Sequence, residues 1–237
     1  MSDAGKKKET LVHPGYELFI LALSVLSLVN LVFLVLPWPL DGQQRDVILI
    51  VDGILTIVFL SDFAWRLTSA ESKRAYFFQD RGWLDLIGSL PLLRVFRIFR
   101  VLRVGRLVRE YGHGTLARWL LRERAQSALY VVCFLVILVL EVSSVLMLPL
   151  EARSPAANIT TAGDALWWGI VTVTTVGYGD QYPVTTGGRV VGVFVLILGV
   201  GLFGTFTGFL ANSFLSKPKE ESSTEVLPAG ADRGRTA

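Results

Sequence analysis

The sequence predicts an all-α membrane protein with six transmembrane helices, and three observations carry that prediction. Of the 237 residues, 52% are hydrophobic, and the mean hydropathy is +0.52, as in chains that sit in lipid. Four apolar runs, at about Tyr16–Leu36, Val47–Leu67, Ala128–Leu150 and Val190–Leu215, each approach the roughly 20 residues that a bilayer requires. Two less obvious spans, Phe77–Leu92 and Leu92–Val108, fall between the second and third of these runs.

Residues 1–15 form a polar, Lys-rich tail, and residues 16–111 make four spans with charges inside them. The first run is too long for the apolar part of a signal peptide and lacks a small-residue cleavage site, so it reads as a retained span. Six spans place both ends of the chain on one side, and charge chooses that side. Outside the arginine series at 94–109, fourteen Lys/Arg residues fall on one face and only Arg45, Arg153 and Arg189 on the other. The positive-inside rule then makes both termini cytoplasmic. The net charge of +3 therefore reflects topology and gives no sign of nucleic acid as a partner.

The second span carries Asp52 and Asp62 and the third carries Asp85, at depths where an unpaired carboxylate is costly. Phe59 sits one turn from Asp62, so ring and acid share a face and can form a plug past which one guanidinium moves at a time. The fourth span supplies the guanidiniums. Arg94, Arg97, Arg100, Arg103, Arg106 and Arg109 recur at every third position among Val, Phe, Ile and Leu. Each costs about 2.5–3.5 kcal/mol to insert, so this helix needs protein, water crevices and countercharges around it. A charge that crosses the field gains about 2.3 kcal/mol per 100 mV, and three or four per subunit are ample to bias a gate. A fixed set of salt bridges that only lets the helix insert is the other reading of the same residues.

Residues 112–126 are amphipathic, with Leu116, Trp119 and Leu120 against Arg118, Arg122 and Arg124, and suit a helix lying on the inner membrane surface. Residues 127–216 then read as span, turret, short helix, loop and span. Glu141 lies mid-span and predicts a polar contact to a neighbouring helix; the single Cys133 reads as a buried, inert thiol. Asn158-Ile159-Thr160 is a glycosylation sequon on the outer side. The short helix begins at Asp164, whose carboxylate can cap the free amides there, and runs through Trp167 and Trp168 to about Thr174. Its carbonyl end directs partial negative charge at the cavity below the loop, which favours a cation. Trp167 and Trp168 are both candidates for filter support: a buried indole N–H seeks an acceptor, so Trp168 is expected to brace the loop around Tyr178, while interfacial anchoring weighs more for Trp167.

The loop itself is Thr174-Thr175-Val176-Gly177-Tyr178-Gly179-Asp180. Gly177 and Gly179 can take backbone conformations that L-residues resist, which lets successive carbonyls face one axis. Thr175 adds a hydroxyl at the inner end, while Val176 and Tyr178 point away and wedge the loop. Residues 217–237 are Pro-, Ser-, Glu- and Gly-rich and predict disorder.

The string Thr175 to Gly179, TVGYG, is the loop known from K⁺ selectivity filters, where it strips the ion's hydration shell with backbone carbonyls. With it, the chain resembles a prokaryotic six-transmembrane voltage-gated potassium channel over residues 16–216. The likeness extends through Gly179-Asp180-Gln181-Tyr182-Pro183, the arginine series, and the Asp52, Phe59, Asp62, Arg66 pattern, which is similar to the family's charge-transfer centre. Gly199 falls at the family's hinge position, and Gly208, Asn212 and Phe214 also match. The resemblance implies a four-helix voltage-sensor domain (16–111), an interfacial linker helix (112–126), and a two-helix pore domain (127–216) with a re-entrant pore helix and selectivity filter. It places K⁺, the permeant ion, at Thr175, Val176, Gly177 and Tyr178, and implies no other cofactor. One loop per chain cannot encircle an ion, so a homotetramer among plasma (cell) membrane lipids is expected.

The chain also departs from the family's pattern. Phe206-Thr207-Gly208 replaces the Pro-x-Pro kink of many animal channels, so the inner gate would bend at Gly199 or Gly208. The compact Trp83-Leu84-Asp85-Leu86 turn is similar to cyclic-nucleotide-gated relatives, yet the tail after Leu215 is too short for a cyclic-nucleotide domain. Position 171 is Val, where some two-span channels place a glutamate, so Asp180 would lack that partner behind the filter. Only nine positions lead from Asp85 to Arg94, which keeps open a K⁺ pore with a structural arginine helix. A K⁺ transporter subunit is disfavoured, because those relatives carry four degenerate loops in one chain. No Ser/His/Asp set suggests an enzyme.

Overall fold

The computed structural model describes residues 14–37, 39–69 and 124–215. The arginine series, Asp85, residues 1–13, residues 112–123 of the linker and residues 217–237 lie outside the described residues, whereas 14–15 and 124–126, expected in the first tail and the linker, already belong to helices. Five helices are present there: α1 (Pro14–Val35), α2 (Gly42–Ser69), α3 (Arg124–Glu151), α4 (Ala162–Val173) and α5 (Thr186–Leu215). Of these, α1, α2, α3 and α5 are long and apolar enough to cross a membrane. Helix α4, with 12 residues, rises about 18 Å and falls short of a hydrocarbon core of about 30 Å. The chain enters through α4, turns at 174–185 and leaves by α5.

The apolar runs mark the spans, but capping sets where the helices start. Helix α2 begins five positions before Val47. There the Gln44 backbone N–H donates to Asp41 Oδ1 at 2.7 Å, and the Asp41 N–H donates to Gln44 Oε1 at 3.0 Å. This reciprocal pair satisfies two amides of the first turn with polar side chains that hydropathy alone discounts.

Helix α3 is the central strut and packs against all four other helices. On the α1–α2 side the core is Leu23, Val47, Leu55 and Phe59; on the α4–α5 side it is Met147, Ile159, Ala165, Trp168 and Val195. At the other end from Glu151, Tyr130 holds α3 to α1, edge-on to Tyr16 at 5.8 Å and stacked on Phe19 at 5.6 Å. Glu141 is buried beside Asn30 of α1, the polar contact to a neighbouring helix that its mid-span position implies. Cys133 is half-buried, less enclosed than the sequence suggests. Along α5, Val190, Val193, Phe194 and Ile197 face outward, uncovered within a single chain.

Candidate functional site

The short helix begins two residues earlier than the sequence suggests, and its cap is Thr161 instead of Asp164. Thr161 Oγ1 accepts the Asp164 N–H at 3.2 Å. Asp164 Oδ2 reaches back to accept the N–H groups of Thr161 at 2.9 Å and Thr160 at 3.2 Å. Asp164 is thus the third residue of a capping box, and the Thr-x-x-Asp spacing was its signal. Burial opposes the charge on Asp164, but the bonds from Thr161 and Thr160 outweigh it and hold the carboxyl below its usual value.

At the far end, α4 hands its last carbonyls to the loop. Thr175 N–H donates to Thr172 O at 3.1 Å, while Val176 and Gly177 N–H both donate to Val171 O at 3.0 and 3.4 Å. The backbone then turns left-handed at every second residue: φ is +59° at Thr175, +62° at Gly177 and +79° at Gly179. The chain therefore alternates handedness along this loop. The glycines take this conformation freely. Thr175 has a Cβ and is strained there by about 1–2 kcal/mol.

The outer end of the loop is held by side chains. Trp167 Nε1 donates to Asp180 Oδ2 at 2.7 Å, and its ring stacks on Tyr178 at 5.8 Å with planes 3° apart. Within the chain, therefore, Trp167 meets the loop. Trp168, expected there, turns into the core beside Gly192 of α5. Position 171 is Val, so Asp180 has no glutamate there to pair with, and it is bonded by that indole instead. Asn158 bridges the same region, donating from Nδ2 to Asp180 O at 3.4 Å and accepting the Tyr182 N–H at 3.2 Å.

Glu151 was not legible as a site residue. Fully buried at the end of α3, it accepts the N–H of Val184 at 2.9 Å and, on its other oxygen, the N–H and Oγ1 of Thr185 at 3.1 and 2.8 Å. It fixes the segment between the loop and α5. These partners lie more than thirty positions downstream, and no local pattern announces them. Gly188 leaves it room, since a Cβ there would fall 2.1 Å from Glu151 Oε1.

On α2, Asp52, Phe59 and Asp62 are all buried on the face toward α1 and α3. Ser27 Oγ of α1 donates to Asp52 Oδ1, and Tyr16 OH donates to Asp62 Oδ1 at 2.8 Å. On α5, Gly199 is a point of close approach: an added Cβ would lie 2.9 Å from the backbone Cα of Val173. Gly208 has nothing within 4 Å of such an atom.

A helical integral membrane protein, with a loop between a short helix and a following span among its described residues, is the class that this geometry defines. The chain matches the ion transport protein family over residues 13–222 and belongs to it. It is similar to a voltage-gated potassium channel of Aeropyrum pernix, 29% identical over 232 residues, which cover 93% of this chain and 78% of that protein. It is also similar to potassium voltage-gated channel subfamily A member 10 of Gallus gallus, 34% identical over 86 residues. Member 5 of that subfamily in Homo sapiens is 35% identical over 96 residues. Those two matches cover 35% of this chain and only 17% and 16% of the animal proteins.

Proposed function

We propose that the chain is the subunit of a voltage-gated, K⁺-selective channel that conducts K⁺ passively across the plasma membrane. The observation that carries this is the Thr175–Gly179 loop, left-handed at alternate residues and tied to the end of α4. The names of the relatives agree with it. In this reading the carbonyls of Thr175, Val176, Gly177 and Tyr178 replace the hydration shell of K⁺. The carbonyl end of α4 lowers the energy of a cation below them. Trp167, Asp180 and Glu151 hold the loop at its working width.

Four chains close the ring, each giving one loop. The exposed Val176, Tyr178 and outward face of α5 support a neighbour on that side. The chain contributes six spans: the four seen here and two between positions 70 and 123, the last carrying Arg94 to Arg109. Asp52, Phe59 and Asp62 with Asp85 form the path for those arginines. The excess of Lys/Arg on one face supports cytoplasmic termini.

The test is current from purified protein in a planar bilayer, under voltage steps and a K⁺/Na⁺ gradient. Reversal near the K⁺ equilibrium potential with voltage-dependent opening is expected; reversal near zero overturns the proposal. One observation favours a second reading, a K⁺ pore whose arginine helix is structural. Ser27 and Tyr16 of α1 donate to Asp52 and Asp62, which suits fixed countercharges.

A further inference from the structure

Two adjacent glutamines at the start of α2 reach out of their own helix and grip the other half of the chain. Gln43 Oε1 accepts the N–H of Ala162 at 2.8 Å. Ala162 is the first residue of α4, and its amide is one that the Thr161–Asp164 box leaves unserved. Gln44 Nε2 donates to the carbonyl of Val145 in α3 at 2.9 Å. The amide of Gln44 is oriented for this, because its oxygen already accepts from Asp41 N–H in the cap of α2.

From these contacts we infer that Gln43 is a positioning residue for the filter, a strut by which α2 sets the seat of α4. The inference rests on the reading of Thr174–Asp180 as that filter. The gripped amide and Val171 O, which accepts the N–H groups of Val176 and Gly177, belong to one helix of 12 residues. One hydrogen bond, one short helix and one carbonyl therefore connect the outer end of α2 to the ion-binding carbonyls. Ala162 is 4% exposed, so an amide released by Gln43 finds little water to replace it, and α4 must shift or leave a donor unpaired. Gln44 anchors the same turn of α2 to α3, so the strut bears on a fixed point.

The contacts have opposite polarity, which separates a hydrogen-bonding role from simple filling of space. Gln43 must offer an acceptor, so Gln43→Glu keeps the bond and Gln43→Met, of similar shape, removes it. Gln44 must offer a donor to Val145 O, so Gln44→Glu, which keeps only acceptors, breaks that contact. The bond can also be deleted from its other side by Ala162→Pro. Proline is favoured at a first helical position, and Thr161 has φ −118° and ψ 162°, the conformation that a residue before proline prefers.

The experiment is the run-down of current during a sustained voltage step at low outer K⁺, using full-length tetramers in bilayers. Gln43→Met and Ala162→Pro should each speed run-down roughly tenfold, and the double variant should be no faster than either single one. Raised outer K⁺ should slow it again, because an ion bound in the intact filter stabilises that state. Gln43→Glu should match the wild type. Unchanged run-down in Gln43→Met and Ala162→Pro overturns the inference, as does Gln43→Glu behaving like Gln43→Met or a loss that outer K⁺ does not relieve. Wild-type protein without K⁺-selective current would instead remove the reading beneath it.

Discussion

Trp167 serves two neighbours with one ring, stacking on Tyr178 while its N–H meets Asp180. Trp167→Phe keeps the stack and deletes the hydrogen bond, which at this exposed position is worth about 1 kcal/mol. Current through such channels should run down several-fold faster, as a sustained voltage step will show. At Gly177, φ is +62° and nothing lies within 4 Å of an added Cβ, so any penalty there is one of handedness, not space. Gly177→Ala should abolish K⁺ conduction, whereas D-alanine introduced by semisynthesis, which prefers positive φ, should preserve it; bilayer recording distinguishes them. Asp164 gives a pH prediction. Its folded-state value lies below the ordinary 3.8, so its stabilising contribution is complete above that pH and is lost as pH falls through the lowered value. Thermal unfolding of Asp164→Ala should accordingly be less stable than the wild type at neutral pH and converge with it in strong acid. The glycines were legible in the sequence because their conformational demand is written in the residue type. The choice between Trp167 and Trp168 was not: successive residues point about 100° apart around a helix, and only packing of α4 decides which indole meets the loop.

Among the helices, α5 shows why a glycine's role cannot be read from its position in a span. Gly199 matches a hinge in the resemblance, yet its surroundings make it a contact glycine, with Val173 of α4 against it. Gly199→Ala should cost about 1–3 kcal/mol through overpacking and lower the thermal stability of the assembly, whatever it does to bending. Gly208→Ala, with free space around it, stiffens the helix by at most about 1 kcal/mol without that clash. It is the cleaner probe of bending, read as open probability. Glu151 works at the same scale, joining the end of α3 to the approach of α5. In Glu151→Gln an amide NH₂ faces either the N–H of Val184 or that of Thr185, leaving a buried donor unpaired at about 1–3 kcal/mol. The spans were legible because lipid imposes a length and a composition on each. Helix starts and Glu151 were not, since caps and long-range acceptors are chosen by tertiary geometry.

For the molecule as a whole, the proposed function requires the arginine series at 94–109 to move in the field. If Arg97 and Arg100 cross the field, Arg97→Gln and Arg100→Gln should each flatten the conductance–voltage curve in intact tetramers; an unaltered slope would make the helix structural. Here the sequence was legible in kind but not in arrangement. Three-residue spacing announces charge in the membrane, whereas Ser27 and Tyr16, which donate to Asp52 and Asp62, are uncharged and carry no pattern.

A single chain leaves the flank of α5, with Val193, Phe194 and Ile197, and the loop residues Val176 and Tyr178 uncovered. That surface does not discriminate between a sound copy and one damaged only at Gly177, because an alanine there leaves the flank untouched. If the proposed assembly in fours is random, a mixture of equal parts would give about one ring in sixteen free of damaged copies. Damaging half of the copies would then remove far more than half of the current.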